Sequence, residues 1–295
     1  MRRLIQLGVL LIALAGFVTA DVVSRSGNTV NFRGISFQFD SSLANEVKPE
    51  TIPASLDGKP SDIWPEHPSF TLVGYRRTRV MQETDPQIRV FRLDKFREAV
   101  KIASDENAKS VISPPKPPSW TIDFDEEVRV LKELLRVKPS HATINSFLAK
   151  VRGRQSCSAA MPFLPMWEAC QALVARPTYV NFQNGKGVFF LTQWDTETSL
   201  ITNAGLEYAF QGITNDGQYW IYAEFAVSAP FLPKGDDAAV VEWETKNYLL
   251  PHNSKKYQTY VRPVVFKLNQ LTAGDFQPNL RLLEQLIASM EVKPE

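Results

Sequence analysis

The residues able to do chemistry are few and scattered. His67, His141 and His252 are the only three histidines, they stand far apart, and no HxH or HExxH spacing gathers them around a metal ion. Cys157 and Cys170 have twelve residues between them and no CxxC neighbour. They can be read as a disulfide or as a pair of reactive thiols or metal ligands. The disulfide is the simplest reading, because Pro162 and Pro165 favour a turn between them, and closing such a loop stabilises by about 3 kcal/mol on chain-entropy grounds. Asp123, Asp125, Glu126 and Glu127 offer oxygens to Ca²⁺. Their spacing lacks the glycine of a calcium loop, and they sit at an expected helix start, where negative charge complements the macrodipole. The capping role is therefore expected. No GxSxG elbow exists and no Cys lies beside a His. A Ser-His-Asp triad, or a carboxylate pair drawn from the 32 acids, needs no local motif, and nothing marks one. No catalytic residue, cofactor-binding residue, metal ligand or cofactor is nominated.

The aromatic residues carry the one functional candidacy. Trp194, Tyr208, Tyr219, Trp220 and Tyr222 fall in adjacent expected hairpins. On an open sheet face, Trp194, Trp220 and Tyr222 can stack on a sugar or on a partner's apolar surface; under helices they are core. Arg76, Arg77 and Arg79 read as a solvated strand end, and Gly185, Gly187 and Gly217 as turn formers rather than a phosphate loop.

Residues 1–20, MRRLIQLGVLLIALAGFVTA, have the make-up of a signal peptide: a positive start at Arg2 and Arg3, an apolar run, and a small-residue ending at Val18-Thr19-Ala20. The run is short for a membrane span. The expected product is a secreted or periplasmic protein with no integral membrane segment after cleavage, in a compartment that favours the Cys157–Cys170 bond. Removing the leader from 295 residues leaves 275, within single-domain range. It takes 33 basic residues to 31 against 32 acids, a balance that argues against nucleic acid or an anionic membrane as partner.

The elements that must position these residues follow from periodicity. Ile35, Phe37 and Phe39 alternate with polar residues in a strand, Thr51–Ala54 reads as an edge strand, and Phe70–Tyr75 and Gln87–Leu93 as two more. Asp94 caps a helix through Glu106. Four prolines in Ser113–Ser119 form a Pro-rich crossing at 113–119. Helices are expected over Glu126–Val137, His141–Val151, Lys256–Leu271 and Leu280–Met290. Thr178–Phe182 pairs with Gly187–Trp194 across Asn184-Gly185, and Leu206–Ile213 with Tyr219–Val227 across Asn215-Asp216-Gly217. In the last strand, Ile221, Ala223 and Phe225 share one face with Tyr219, and Trp220, Tyr222 and Glu224 take the other; both are partly apolar, so the strand is expected to be central and covered on both sides.

The segments YVNFQNGKGVFFLTQW (Tyr179–Trp194) and LEYAFQGITNDGQYWIYAEFAVSAPFLP (Leu206–Pro233), with GISFQFDSSLA (Gly34–Ala44), FTLVGY and PQIRVFRL, resemble a family of uncharacterised exported bacterial proteins found in Chloroflexi and cyanobacteria. The resemblance covers most of the mature chain and implies no activity; Cys157 and Cys170 read as a local addition to it. At the level of fold, the early G-x-S-F-x-F strand, and a last helix running into a strand at LLEQLIASMEV (Leu282–Val292), resemble the PsbP/Mog1-like α/β/α sandwich. That likeness implies an antiparallel sheet with helices on its faces and a protein-binding rather than enzymatic role.

The expectation is a single secreted α+β domain over residues 21–295, an antiparallel sheet flanked by helices. Its expected role is a non-enzymatic module binding an envelope or extracellular protein partner or another envelope ligand. The alternative is a hydrolase acting on cell-envelope polymers, to be recognised by two convergent carboxylates or a Ser beside a His.

Overall fold

The computed structural model describes residues 28–56, 62–76, 85–110, 124–152, 161–165, 169–235, 237–247 and 250–293. The leader and the 113–119 crossing lie outside them. The centre is a seven-stranded antiparallel sheet in the order β3-β4-β5-β11-β10-β8-β7. Its strands are β3 (Glu46–Ile52), β4 (His67–Val73), β5 (Gln87–Arg92), β7 (Ala175–Phe182), β8 (Gly185–Thr192), β10 (Glu207–Thr214) and β11 (Tyr219–Ala226). A smaller sheet joins β1 (Asn28–Phe32), β2 (Ile35–Phe39) and β12 (Glu291–Val292), and β6 (Cys170–Gln171) pairs with β9 (Trp194–Asp195). Six α-helices and a 3-10 turn (Ala273–Asp275) complete the described elements: α1 (Leu93–Ser110), α2 (Phe124–Val137), α3 (Ile144–Arg152), α4 (Ala238–Asn247), α5 (Lys255–Gln270) and α6 (Leu280–Ala288).

The period of two splits the sheet's side chains between two cores. Ile88, Phe189, Tyr208, Phe210, Ile221 and Phe225 point to one, shared with Tyr257, Val261 and Leu268 of α5, Leu283, Leu286 and Ile287 of α6, and Ile35 and Phe37 of β2. Phe91, Val188, Phe190, Ala209, Trp220 and Tyr222 point to the other, shared with Phe96 of α1, Val130, Leu131 and Leu134 of α2, and Leu148 of α3. The sheet is thus the middle layer of three. β11, fourth of the seven, is the central strand expected from its two apolar faces.

Local chemistry explains the ends. Asn279 caps α6 by accepting from the Arg281 amide at 3.0 Å, and its Leu280, Leu283, Leu286 and Ile287 stripe is buried. Ser254 does the same for α5 from Tyr257 N at 3.3 Å. The strand expected at Ile35, Phe37 and Phe39 is β2, and it forms a hairpin with β1 because Arg33 and Gly34 both take positive φ, 47° and 70°. Gly187 is not a turn former. It lies within β8 opposite Gly212, where a Cβ would come 2.2 Å from the Phe210 ring and 2.7 Å from Gln211 O. Only a hydrogen lets that ring lie across the strands. Of the expected Thr51–Ala54 edge strand only Thr51 and Ile52 are strand, as the end of a longer one, β3, with Pro49 inside it; Pro53 and Ala54 lie beyond it, and Pro49 is tolerated because β3 is at the sheet's margin.

Candidate functional site

On the sheet face toward α1–α3, polar character increases along β11 from Trp220 to Glu224. The register places Arg89 of β5 beside Tyr222 of β11, and Tyr222 beside Gln211 of β10. Ser69 of β4 extends the same row next to Arg89. The next row sets Glu224 against Ala209, and the one after brings in Glu207, opposite Thr192 of β8. Alternation keeps Tyr222, Glu224, Glu207 and Gln211 on one face, and cross-strand pairing brings them together although β10 and β11 are separate in sequence.

Both oxygens of Glu224 are engaged. Trp194 Nε1 donates to Oε1 at 2.6 Å, and the Tyr222 hydroxyl donates to Oε2 at 2.5 Å. Glu207 stands on the same face one row from Glu224, diagonally across β10 and β11. Burial pushes the Glu224 carboxyl up from its ordinary range, against the pull of Tyr222, Glu207, Trp194 and the Arg89 charge. Burial and the adjoining Glu224 charge raise the Tyr222 phenol well above its usual value, which keeps it a donor. Phe163 closes over the pair, its ring 4.4 Å from Trp194 and 5.4 Å from Tyr222.

Arg89 continues the strip outward. Its Nε and Nη2 donate to Gln87 Oε1 at 3.0 and 2.8 Å. Its guanidinium stands 6.0 Å from the Tyr222 ring centroid and 5.8 Å from that of Trp64. Trp64, Gln87, Arg89, Glu224 and Trp194 are all half-buried, so the strip reaches solvent. Beneath it, the side-chain Oγ of Ser69 and Nε2 of Gln211 and His67 are buried without a hydrogen-bond partner among the described residues.

Beside Trp194, Asp195 accepts from Gln193 Nε2 at 3.2 Å on each oxygen. Burial pushes its carboxyl up to about 6, against hydrogen bonds from Ser199 and Gln193. Elsewhere a cleft of about 110 Å³ opens between α3 and α5, lined by Asn145, Leu173, Val261, Arg262 and their neighbours.

The structure brings two of the three candidate aromatics, Trp194 and Tyr222, onto one carboxylate. Trp220 stands apart from them in the core under α1 and α2, fully buried, with its Nε1 donating to Gln211 Oε1 at 2.5 Å. Cys170 lies in β6 opposite Asp195 and is not a free thiol; Cys157 lies outside the described residues. Of the acidic run, Asp123 also lies outside them. Asp125 pairs with Arg97, Glu126 with Arg129 and Glu127 with Arg152. Arg76 is exposed, and Arg77 and Arg79 lie outside the described residues. Among the described residues no three His, Cys, Asp or Glu side chains gather as a metal site, and no helix is long and apolar enough to cross a membrane. Glu207, Glu224, Arg89 and Trp64 were not nominated from sequence. The one local signal, carried by Glu207, Glu224 and Arg89, is a charged residue within a largely apolar strand; Trp64 has none.

No family model, no curated protein and no solved structure matches this chain.

Proposed function

We propose that this is an exported, non-enzymatic module that binds a ligand of the cell envelope along the strip from Trp64 through Arg89 and Glu224 to Trp194. The observation that carries the reading is the engagement of both Glu224 oxygens, by Trp194 Nε1 and by the Tyr222 hydroxyl. Glycoside hydrolysis needs carboxyls about 5–5.5 Å or about 6.5–9.5 Å apart, with room between them for the sugar carbon or a water. At Glu224 each oxygen already accepts a short hydrogen bond, one from Trp194 and one from Tyr222. Convergent carboxyls are what a hydrolase of envelope polymers would use, but this pair is arranged to hold shape and present polar groups. Export, the Cys157–Cys170 disulfide and the resemblances to exported bacterial proteins and to PsbP/Mog1-like domains belong to the same proposal.

The test is co-sedimentation of the protein, as processed by an exporting host, with isolated envelope fractions. Wild type is expected to be retained, and Trp194→Ala and Glu224→Gln to be released with unchanged far-ultraviolet circular dichroism. Turnover of an envelope polymer that is abolished in Glu224→Gln would replace the binding reading with the hydrolase one.

A further inference from the structure

We propose that the outer face of α5 seats this protein on an anionic phospholipid surface, a contact independent of the strip, which faces α1–α3 on the other side of the sheet. The helix KKYQTYVRPVVFKLNQ carries Lys255, Lys256, Arg262 and Lys267 and no acid. Among the described residues none of the four is in an ion pair, whereas Arg97, Arg129, Arg136 and Lys246 on other helices each bind a carboxylate. Lys256 donates to Asn247 Oδ1 at 2.7 Å, and Lys267 lies 5.5 Å from the Phe231 ring centroid; both partners are neutral. The acids of the neighbouring elements are engaged or set back. Glu242 holds Lys246, Asp275 accepts from Thr272, Glu284 accepts from the Tyr208 hydroxyl, and Glu244 is half-buried. The near-neutral total, which argues against broad attraction to an anionic membrane, thus hides one positive face.

Placement makes the face interfacial as well as basic. Phe266, 66% exposed, is the most exposed large apolar side chain among the described residues. At about 100° per residue, Phe266 and the exposed Pro263 fall in the middle of the solvent-facing arc, with Lys255 and Arg262 on one flank and Lys256 and Lys267 on the other. In that arrangement an apolar side chain enters between headgroups while the flanking cations reach lipid phosphates. The cleft of about 110 Å³ between α3 and α5 opens beside this arc, with exposed Arg262 at its rim and buried Leu173 and Val261 below. A guanidinium next to an apolar recess suits the junction of a lipid's phosphate and its acyl chains. Docking onto a folded protein fits less well. A hot spot needs apolar anchors in a packed patch, and beside Phe266 both Val264 and Val265 are half-buried.

The experiment is flotation of the exported protein with phosphatidylcholine vesicles, without and with about 30% phosphatidylglycerol. Binding to the anionic vesicles alone is expected, and it should fall steeply between about 0.1 and about 0.5 M salt. Phe266→Ser should weaken it about tenfold, and Phe266→Trp should retain it. Arg262→Gln and Lys255→Gln should each weaken it about fivefold. All three positions are exposed, and unchanged far-ultraviolet circular dichroism checks the fold. The vesicles hold no envelope polymer, so Trp194→Ala should bind them as wild type does. A high-salt wash of the envelope fractions leaves retention by the strip to be read alone. Equal binding to neutral vesicles, no binding to anionic ones, or an unweakened Phe266→Ser overturns the inference and leaves the strip's proposed role untouched. So does a dimer in light scattering that Phe266→Ser dissociates, because a second copy would then fill this face.

Discussion

His67 and Asp195 should give the fold two titrations of opposite sign, so that deleting one exposes the other. His67 is 1% exposed, with its ring 4.3 Å from that of Phe91 and its Nδ1 2.8 Å from Pro65 O. Burial, helped by the Arg89 charge and opposed by the Pro65 hydrogen bond, lowers its pKa from 6.5 to about 4. The folded state therefore prefers neutral His67. Its stabilisation is complete above pH 6.5 and is lost as pH falls toward 4, by about 3 kcal/mol at about 1.4 kcal/mol per unit. Asp195 runs the other way. Its pKa is raised from 3.8 to about 6, so its stabilisation is complete below 3.8 and is lost as pH rises through 6. Solvent reaches this half-buried carboxyl, which reduces its share to about 2 kcal/mol. Glu224, also raised, acts in the same direction as Asp195. Wild type should therefore lose only about 1 kcal/mol between pH 7 and pH 4 from these groups. Over that range Asp195→Asn should lose about 2 kcal/mol more than wild type, and His67→Phe should lose about 3 kcal/mol less than wild type. Urea unfolding at pH 7, 5.5 and 4, followed by tryptophan fluorescence, gives each value. If Asp195→Asn falls no more steeply with acid than wild type, or His67→Phe falls as steeply as wild type, the assignment of these two groups is wrong.

Two further predictions concern the cover of the site. Glu127 accepts from Arg152 at 2.5 and 2.8 Å with side-chain exposures of 5% and 14%, so Glu127→Ala strands a buried guanidinium and should cost about 3–5 kcal/mol in urea unfolding, against under about 1 kcal/mol for Glu126→Ala in its exposed pair. If the proposed Cys157–Cys170 bond forms, the exported protein should resist alkylation until reduced, and Cys170→Ser should lower stability by about 3 kcal/mol; alkylation of both cysteines without reductant would refute the bond.

The elements were legible where one period ran undisturbed. β5, β11 and α6 follow from QIRVFR, YWIYAEFA and LRLLEQLIA, whose alternation or helical spacing is set by their own burial. α4 was missed: Ala238–Asn247 has no clear apolar stripe, and Trp243 finds its place only by packing near Tyr257 and Tyr260. β7 begins earlier than its pattern suggests, because a bulge between Ala175 and Thr178, with Arg176 at φ 50°, breaks the alternation. The candidate site was half legible. Tyr222 and Glu224 are two apart on one strand, so their shared face can be read from sequence. That Glu207, Arg89 and Trp194 join them depends on which strands become neighbours and in what register, and neither is written in any one segment.

The acidic run at the start of α2 shows how a local reading can be sound and still miss a residue's role. Asp125 and Glu126 lie at the helix start beside arginines, as capping charges should. Glu127 is different, because its position turns inward. It binds Arg152 at the end of α3 and also accepts from the Phe163 amide at 3.0 Å. Phe163 in turn lies on Trp194 and Tyr222, the two donors that hold Glu224. The glutamate of a single buried ion pair between two helices therefore also holds the backbone of the ring that packs on Trp194 and Tyr222. Unlike an exposed surface pair, this one is geometrically bound: rotating Glu127 away would leave both a guanidinium and a backbone amide unsatisfied. The shape of the proposed binding strip thus depends on a glutamate that the sequence presents as one more helix-start charge.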